Sequence, residues 1–314
     1  MKNLKELSLL GLALIAFGAV GCGDDSSDTD TGDTDSGTNA GDLDSGTSNG
    51  GSNFGGEPDE FTQCTGGASY DYVLSTLVVP NATNDASSVD GFDLDGRGSV
   101  DSGLCAATDF SNKRHQDVDN ALAANLNALN TFLNVNDALA TTLNSGNLVI
   151  VLRLAAVDDF LNDDCVNAEI YLGATADGEA PEIDQATGAV AASQTFVLDG
   201  EAQATINAVI AGGLIQFTAP SVPLSLTFED TRLDLSILEA RLDGEITADG
   251  LIDGMIGGGL TIPNIVNLLQ QLELGADFSG IISGFADVVS ASGECDVLSL
   301  GAGLTGVSAT IQAE

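Results

Sequence analysis

The residues best suited to chemistry lie between positions 89 and 120. The run Val89-Asp90-Gly91-Phe92-Asp93-Leu94-Asp95-Gly96-Arg97 sets acids at alternate positions beside glycines, Asp101 follows, and Asp117-Val118-Asp119-Asn120 comes shortly after. A hard cation such as Ca²⁺ is held by six to eight oxygens from carboxylates, carbonyls and water. Asp at alternate positions of a Gly-containing loop can turn its carboxylates toward one point. Asp90, Asp93, Asp95, Asp101, Asp117 and Asp119 are therefore the candidate ligands, with Ca²⁺ the cofactor they would suit. The EF-hand template does not fit. With Asp93, Asp95 and Gly96 at its third, fifth and sixth positions, Gly91 falls at the first and Ser102 at the twelfth, where acids are required. The same acids would also serve as turn caps and surface charge. Asp158-Asp159 and Asp163-Asp164, around Cys165, read as a solvated turn.

Other chemistry finds little support. His115 is the single histidine and sits beside Lys113 and Arg114; no Ser or Cys motif points to it, and it reads as an exposed loop residue. Gly301-Ala-Gly303-Leu-Thr-Gly306 matches G-x-G-x-x-G, but the chain printed ends eight residues later, without the helix, second strand and acid that dinucleotide binding needs. Gly46-Thr-Ser48-Asn-Gly50 matches G-x-S-x-G but lacks the strand and helix of a nucleophile elbow. A pair of carboxylates acting in hydrolysis stays open. With no Trp and three Tyr, a sugar-stacking site is not expected.

Five cysteines are present: Cys22, Cys64, Cys105, Cys165 and Cys295. No C-x-x-C spacing occurs, which argues against zinc and dithiol redox sites. Without Cys22 four remain, and four in an exported chain imply two disulfides with three possible connectivities. The pairing expected is Cys105–Cys165 and Cys64–Cys295, since a helix and a following strand should return the chain toward Cys105.

The elements that must position these groups can be read from periodicity. Val118, Leu122, Leu126, Leu129 and Leu133 make one face of a helix, with Asp117 as N-cap and Asn144-Ser145-Gly146 as the stop. A second helical stretch runs from Pro263 to Ser290, interrupted at Gly275. Leu148 to Val157 is apolar on both faces, as in a buried strand. Leu238 to Ile246 alternates with polar residues, turns at Ala248-Asp249-Gly250 and returns through Leu251 to Leu260 as a hairpin. The expected fold is α+β and β-rich: a curved antiparallel sheet or sandwich packed against two long helical segments. A membrane β-barrel would also use such alternation, but the charged faces and the helices favour a water-facing body.

The N-terminus carries a different signal. Lys2 and Lys5 precede an apolar run from Leu7 to Val20, too short for a membrane span but suited to a signal peptide. Ala19-Val20-Gly21-Cys22 follows and resembles the lipobox of bacterial lipoproteins, with Ala19 where Leu is usual. That resemblance implies cleavage before Cys22 and acylation of its thiol, so residues 1–21 are a signal peptide and the lipid bilayer is a partner through Cys22. Two or more acyl chains suffice for stable anchoring. Gly23, rather than Asp, after the Cys implies the outer membrane in that family.

Residues 22–60 form the tether. Positions 23–60 hold 11 acids, no base, and almost no apolar residues. Such a segment cannot offset its ordering entropy and should stay disordered, with a reach of roughly 35 Å. Residues 61–314 turn globular and read as a single domain. The whole chain carries a formal net charge of −39, which disfavours nucleic acid and anionic lipid surfaces. The V-D-G-F-D-L-D-G-R run, the later V-D-N and the N-D-D-C around Cys165 are similar to a group of Asp-tethered bacterial surface lipoproteins without an assigned activity. That similarity implies a surface location and no chemistry. The expected role is non-catalytic, in binding or structure, outside the cytoplasm. A carboxylate-dependent hydrolase, or a carrier of an apolar ligand held between the Gly-rich sheet and the helices, are the alternatives.

Overall fold

The computed structural model describes residues 61–96, 105, 109–130, 134–228, 231–271, 283–290 and 292–312. Cys22, the expected signal peptide and tether, and Asp101 lie outside the described residues. Eleven strands follow in chain order: β1 (Ala68–Val78), β2 (Ile150–Val157), β3 (Asn162–Thr175), β4 (Thr195–Leu198), β5 (Ala204–Ala211), β6 (Leu214–Phe228), β7 (Thr231–Thr247), β8 (Gly250–Thr261), β9 (Val288–Val289), β10 (Cys295–Ser308) and β11 (Thr310–Ile311). Among the described residues three helices of ten residues each accompany them: α1 (Ala121–Asn130), α2 (Val135–Asn144) and α3 (Ile262–Gln271).

Eight of the strands close into an antiparallel barrel. The path runs β3-β2-β1-β10-β8-β7-β6-β5, and β5 then pairs with β3 through Val166↔Ala208 and Ala168↔Ile206. Closure removes the free edges that an open sheet would expose. The expectation of an open curved sheet or sandwich against two long helical segments is therefore incorrect. Alternation is a property of each strand and is the same in an open and a closed sheet; the β3–β5 pairing that closes the ring is non-local.

The helical stretches also shorten. The first breaks into α1 and α2, and its cap is Asn120, whose side-chain oxygen accepts from the Ala123 N–H, rather than Asp117. Val118, expected on the helix, lies in a β-bridge with Phe110. Asn134 caps α2, and Ser145 ends it. Of the second stretch, the described residues form α3 and a 3₁₀ turn at Ser283–Phe285; residues 272–282, with the interruption expected at Gly275, lie outside the described residues. The hairpin expected at 238–260 is present as β7–β8, and the strand expected at 148–157 is present as β2, but it is not buried on both faces: Arg153 lies half-buried on its outer face against Asp71.

Side chains alternate inward and outward around the barrel. In β5, Ile206, Ala208 and Ile210 are buried while Thr205, Asn207, Val209 and Ala211 are exposed. Tyr72, Leu154, Ala168, Phe217, Leu242 and Leu304, from six strands, meet in one apolar core. Charge sits on the outside. Asp71, Arg153 and Glu169 are register partners across β1, β2 and β3, and Arg153 Nε donates to Asp71 at 2.7 Å. This polarity is the reverse of a membrane barrel, whose apolar residues face outward.

The helices close one end. Leu122 and Leu126 of α1, Leu139 of α2 and Ile265 of α3 pack with Val79, Leu298 and Ala302 in a second apolar cluster. Toward the other end Phe160, in the β2–β3 turn, stacks edge-on against Tyr70 with centroids 4.7 Å apart.

Both disulfides differ from the expected pairing. The bridges are Cys64–Cys165 and Cys105–Cys295, not Cys105–Cys165 and Cys64–Cys295. The segment before β1 lies against β3 and β5: Cys64 N–H donates to Asn167 Oδ1 at 3.0 Å, and Thr62 N–H to Asn207 Oδ1 at 2.9 Å. This brings Cys64 to Cys165 at the start of β3. The segment just before β1 is thus pinned to the barrel wall.

Candidate functional site

Two places in the body could bind something. The first is the barrel interior, which holds a cavity of ≈ 240 Å³. Its wall includes Leu152 and Ile170 of neighbouring strands, Ala240 and Leu242 of β7, and Ala302 and Leu304 of β10; Leu122, Leu139 and Ile265 reach it from the three helices. Tyr72 is the one lining residue with a polar side chain, and its hydroxyl donates to the Thr247 carbonyl at 2.9 Å. Burial pushes the Tyr72 phenol well above its ordinary pKa, so it stays neutral. Among the described residues no carboxylate or base lines the cavity. An eight-stranded barrel encloses room for filling side chains or for one small ligand.

The second place is a layer laid across the outside of the barrel. Residues 89–96 and 109–120 run side by side: Val89 N–H donates to the Ser111 carbonyl, Phe110 and Val118 exchange both backbone hydrogen bonds, and Asp119 N–H donates to the Phe92 carbonyl at 3.0 Å. Glycines on β8 and β10 let this layer lie flat. A Cβ on Gly257 would stand 2.8 Å from the Phe92 ring, and one on Gly301 would stand 2.7 Å from Gly91 Cα. The G-x-G-x-x-G match at 301–306 is thus a strand over which another chain segment passes. Asn120 fastens the layer, donating from Nδ2 to the Asp90 carbonyl (2.7 Å) and to the Gly301 carbonyl (3.0 Å).

The basic stretch is part of this layer. The buried Asn112 side chain accepts from Arg114 N–H and His115 N–H, which folds 112–115 into a turn over the β7–β8 hairpin. Arg114 and His115 meet Asp243, at 3.4 and 3.2 Å, and Lys113 pairs with Asp253. His115 also lies against the Phe92 ring, with centroids 4.8 Å apart. It is accordingly a half-buried structural residue and not the exposed loop histidine expected from its neighbours.

Of the six expected cation ligands, three converge. Oxygens of Asp93, Asp95 and Asp119 lie within 4.8 Å of one another. Asp119 is 1% exposed. Its Oδ2 accepts from Leu94 N–H (2.6 Å) and Asp95 N–H (3.2 Å), while its Oδ1 is buried with no hydrogen-bond partner. Burial, with the Asp95 charge next, pushes the Asp119 carboxyl up to about 8. Asp117 does not join the three, but its charge is felt at Asp93 and Asp109. Asp90 stands apart over β10, where burial raises its pKa against the charges of Lys113 and Arg114.

Two acids outside the expected set belong here. Asp109 has a buried Oδ2 without a partner, and burial together with Asp95, Asp117 and Asp93 raises it to about 6. It lies between the two acidic runs, and its proximity to them comes from the fold alone. Asp287 is buried behind the cluster, accepting from Ser299 N–H at 2.8 Å and from the Ser299 hydroxyl. The Ser299 oxygen accepts in turn from Ala121 N–H, at the start of α1. Asp287 is pushed to about 6 by burial, against those hydrogen bonds. Nothing in its local sequence marks it.

Asp163 spans the β2–β3 turn by accepting from Asp158 N–H and Cys165 N–H, the turn role expected for that run. No protein family, curated protein or solved structure matches the chain.

Proposed function

We propose that the chain is a lipid-anchored, extracytoplasmic binding protein that takes one small apolar molecule inside its barrel. The cavity of ≈ 240 Å³, walled by apolar side chains with the Tyr72 phenol as the one polar group among the described lining residues, is the observation that carries this reading. A cavity of about 150 Å³ with such walls stays dry and binds benzene, so this one suits a ligand of about ten non-hydrogen atoms. A terpenoid fragment or the end of an acyl chain has that chemistry. Catalysis by paired carboxylates is less well supported, because the clustered acids lie on the outer face of the barrel and none reaches the cavity. The anchor rests on the N-terminal sequence: the basic start, the apolar run and the small residues before Cys22.

Intact-mass measurement on protein taken from the membrane fraction reads both halves of the proposal: acyl chains on Cys22 and any ligand carried along. Binding is then followed with 1-aminonaphthalene, whose emission shifts to the blue when it leaves water. The parent protein gives the shift. Ala240→Phe and Ala302→Phe, which fill the cavity from β7 and from β10, lose it while still melting cooperatively. No shift with the parent, or an equal shift in both variants, refutes the ligand.

A further inference from the structure

We infer that Asp93, Asp95 and Asp119 form a calcium site that locks the outer layer onto the barrel. Three carboxylates whose oxygens lie within 4.8 Å of one another repel unless a cation or protons intervene. Asp117 and Asp109 add to the negative potential. Among the described residues, Arg241 lowers the charge repulsion felt by Asp93, and its Nη1 donates to the Asp93 backbone carbonyl at 2.7 Å rather than to a carboxylate.

The independent sign of a ligand is Asp119. Its side chain is almost wholly buried, one oxygen is held by two backbone N–H groups, and the other has no partner. A buried carboxylate oxygen without a donor is costly, so a native structure rarely keeps one without a proton, water or ion. The buried Oδ2 of Asp109 makes the same demand. The three grouped donors are all carboxylate oxygens, which selects a hard cation. Ca²⁺ fits better than Mg²⁺. The carboxylates come from loop positions on two chain segments, and Ca²⁺ tolerates the irregular, adaptable oxygen shell that such loops offer, whereas Mg²⁺ demands a near-ideal octahedron.

The site would bind the 93–95 turn to Asp119, which leads directly into Asn120 and α1. A cation there ties the outer layer to a helix that closes the barrel end.

The test uses the purified full-length chain, stripped with EDTA, with CaCl₂ added back. At a hundredfold excess over Kd the melting temperature rises by about 5–10 °C. Asp119→Asn and Asp95→Asn each remove one ligand charge at nearly constant shape. Both melt at or above the stripped parent, because repulsion is relieved, and both lose the calcium-dependent rise. A parent that does not respond overturns the site. So does a rise retained in both variants, which would place the calcium on the acidic tether or the general surface.

Discussion

Replacing Gly301 by alanine tests how the outer layer is seated. A methyl at this position would sit on the Asp90 carbonyl oxygen, 2.7 Å from Gly91 Cα and 2.8 Å from Asn120 Nδ2. Ordinary carbon contacts are about 3.5–4.0 Å, so the 90–91 backbone must lift by roughly 1 Å. It cannot lift alone, because Asn120 holds the Asp90 and Gly301 carbonyls with one amide and caps α1 with its oxygen. Overpacking of this kind costs about 1–3 kcal/mol, and a weakened hydrogen bond about 0.5–1.5 kcal/mol. The expected loss is about 2–4 kcal/mol, read as a fall in melting temperature of about 5–10 °C for a body of this size. Gly284→Ala is the control, since a Cβ there meets nothing within 4 Å. Urea denaturation of both variants, with calcium absent, gives the two values. If Gly301→Ala lies within about 0.5 kcal/mol of the parent, the layer does not rest on β10 as described.

Two further outcomes are expected. Non-reduced peptide mapping should return Cys64–Cys165 and Cys105–Cys295; removing the first bridge by Cys64→Ala with Cys165→Ala opens a loop of 101 residues and should cost about 4–5 kcal/mol in denaturant titration. The pH dependence of stability in EDTA should show the buried acids. Asp287 has a folded pKa raised from 3.8 to about 6, so its contribution is full below pH 4 and is lost as pH rises through 6, a loss of about 3 kcal/mol. Asp119, raised to about 8, extends the decline in the same direction. Asp287→Asn should reduce the slope between pH 4 and 6 without removing it, because Asp109 and Asp119 titrate across the same range; an unchanged slope would show that the acid is not buried as described.

How far the sequence foretells this molecule depends on the range of the interaction. The β7–β8 hairpin was legible because its alternation and its Ala248-Asp249-Gly250 turn are local. The ring was not, because its closure rests on β3 meeting β5 across an intervening β4, and no local pattern encodes that pairing. The Val118–Leu133 periodicity is real, yet Val118 spends its apolar side chain in the outer layer while Leu122 and Leu126 face the barrel end. Periodicity alone does not separate two apolar environments that meet at a cap such as Asn120. The convergence of Asp93 and Asp95 with Asp119 follows from alternate spacing plus one bridge, Phe92↔Asp119. Asp109 and Asp287 join only through tertiary packing.

The glycines illustrate why the alternative of a membrane barrel could be weighed but not decided from spacing. Alternation with period two specifies two faces and says nothing about which of them meets solvent. Orientation is set by the charged partners: Asp71, Arg153 and Glu169 share the face opposite Tyr72, Leu152 and Ile170. Once those charges face outward, the apolar set must fill the lumen. Gly257 and Gly301 then fall on the outer face of β8 and β10, where lipid would gain nothing from them but a second layer of chain gains close approach. The same two residues therefore account for the position of the acidic layer, for the burial of Asp119 beneath it and for the capping of the barrel by the helix that Asn120 begins. A ligand entering the lumen and a cation bound outside it would act on one connected structure, joined at Asn120 and Ser299, where Ala121 at the start of α1 is held.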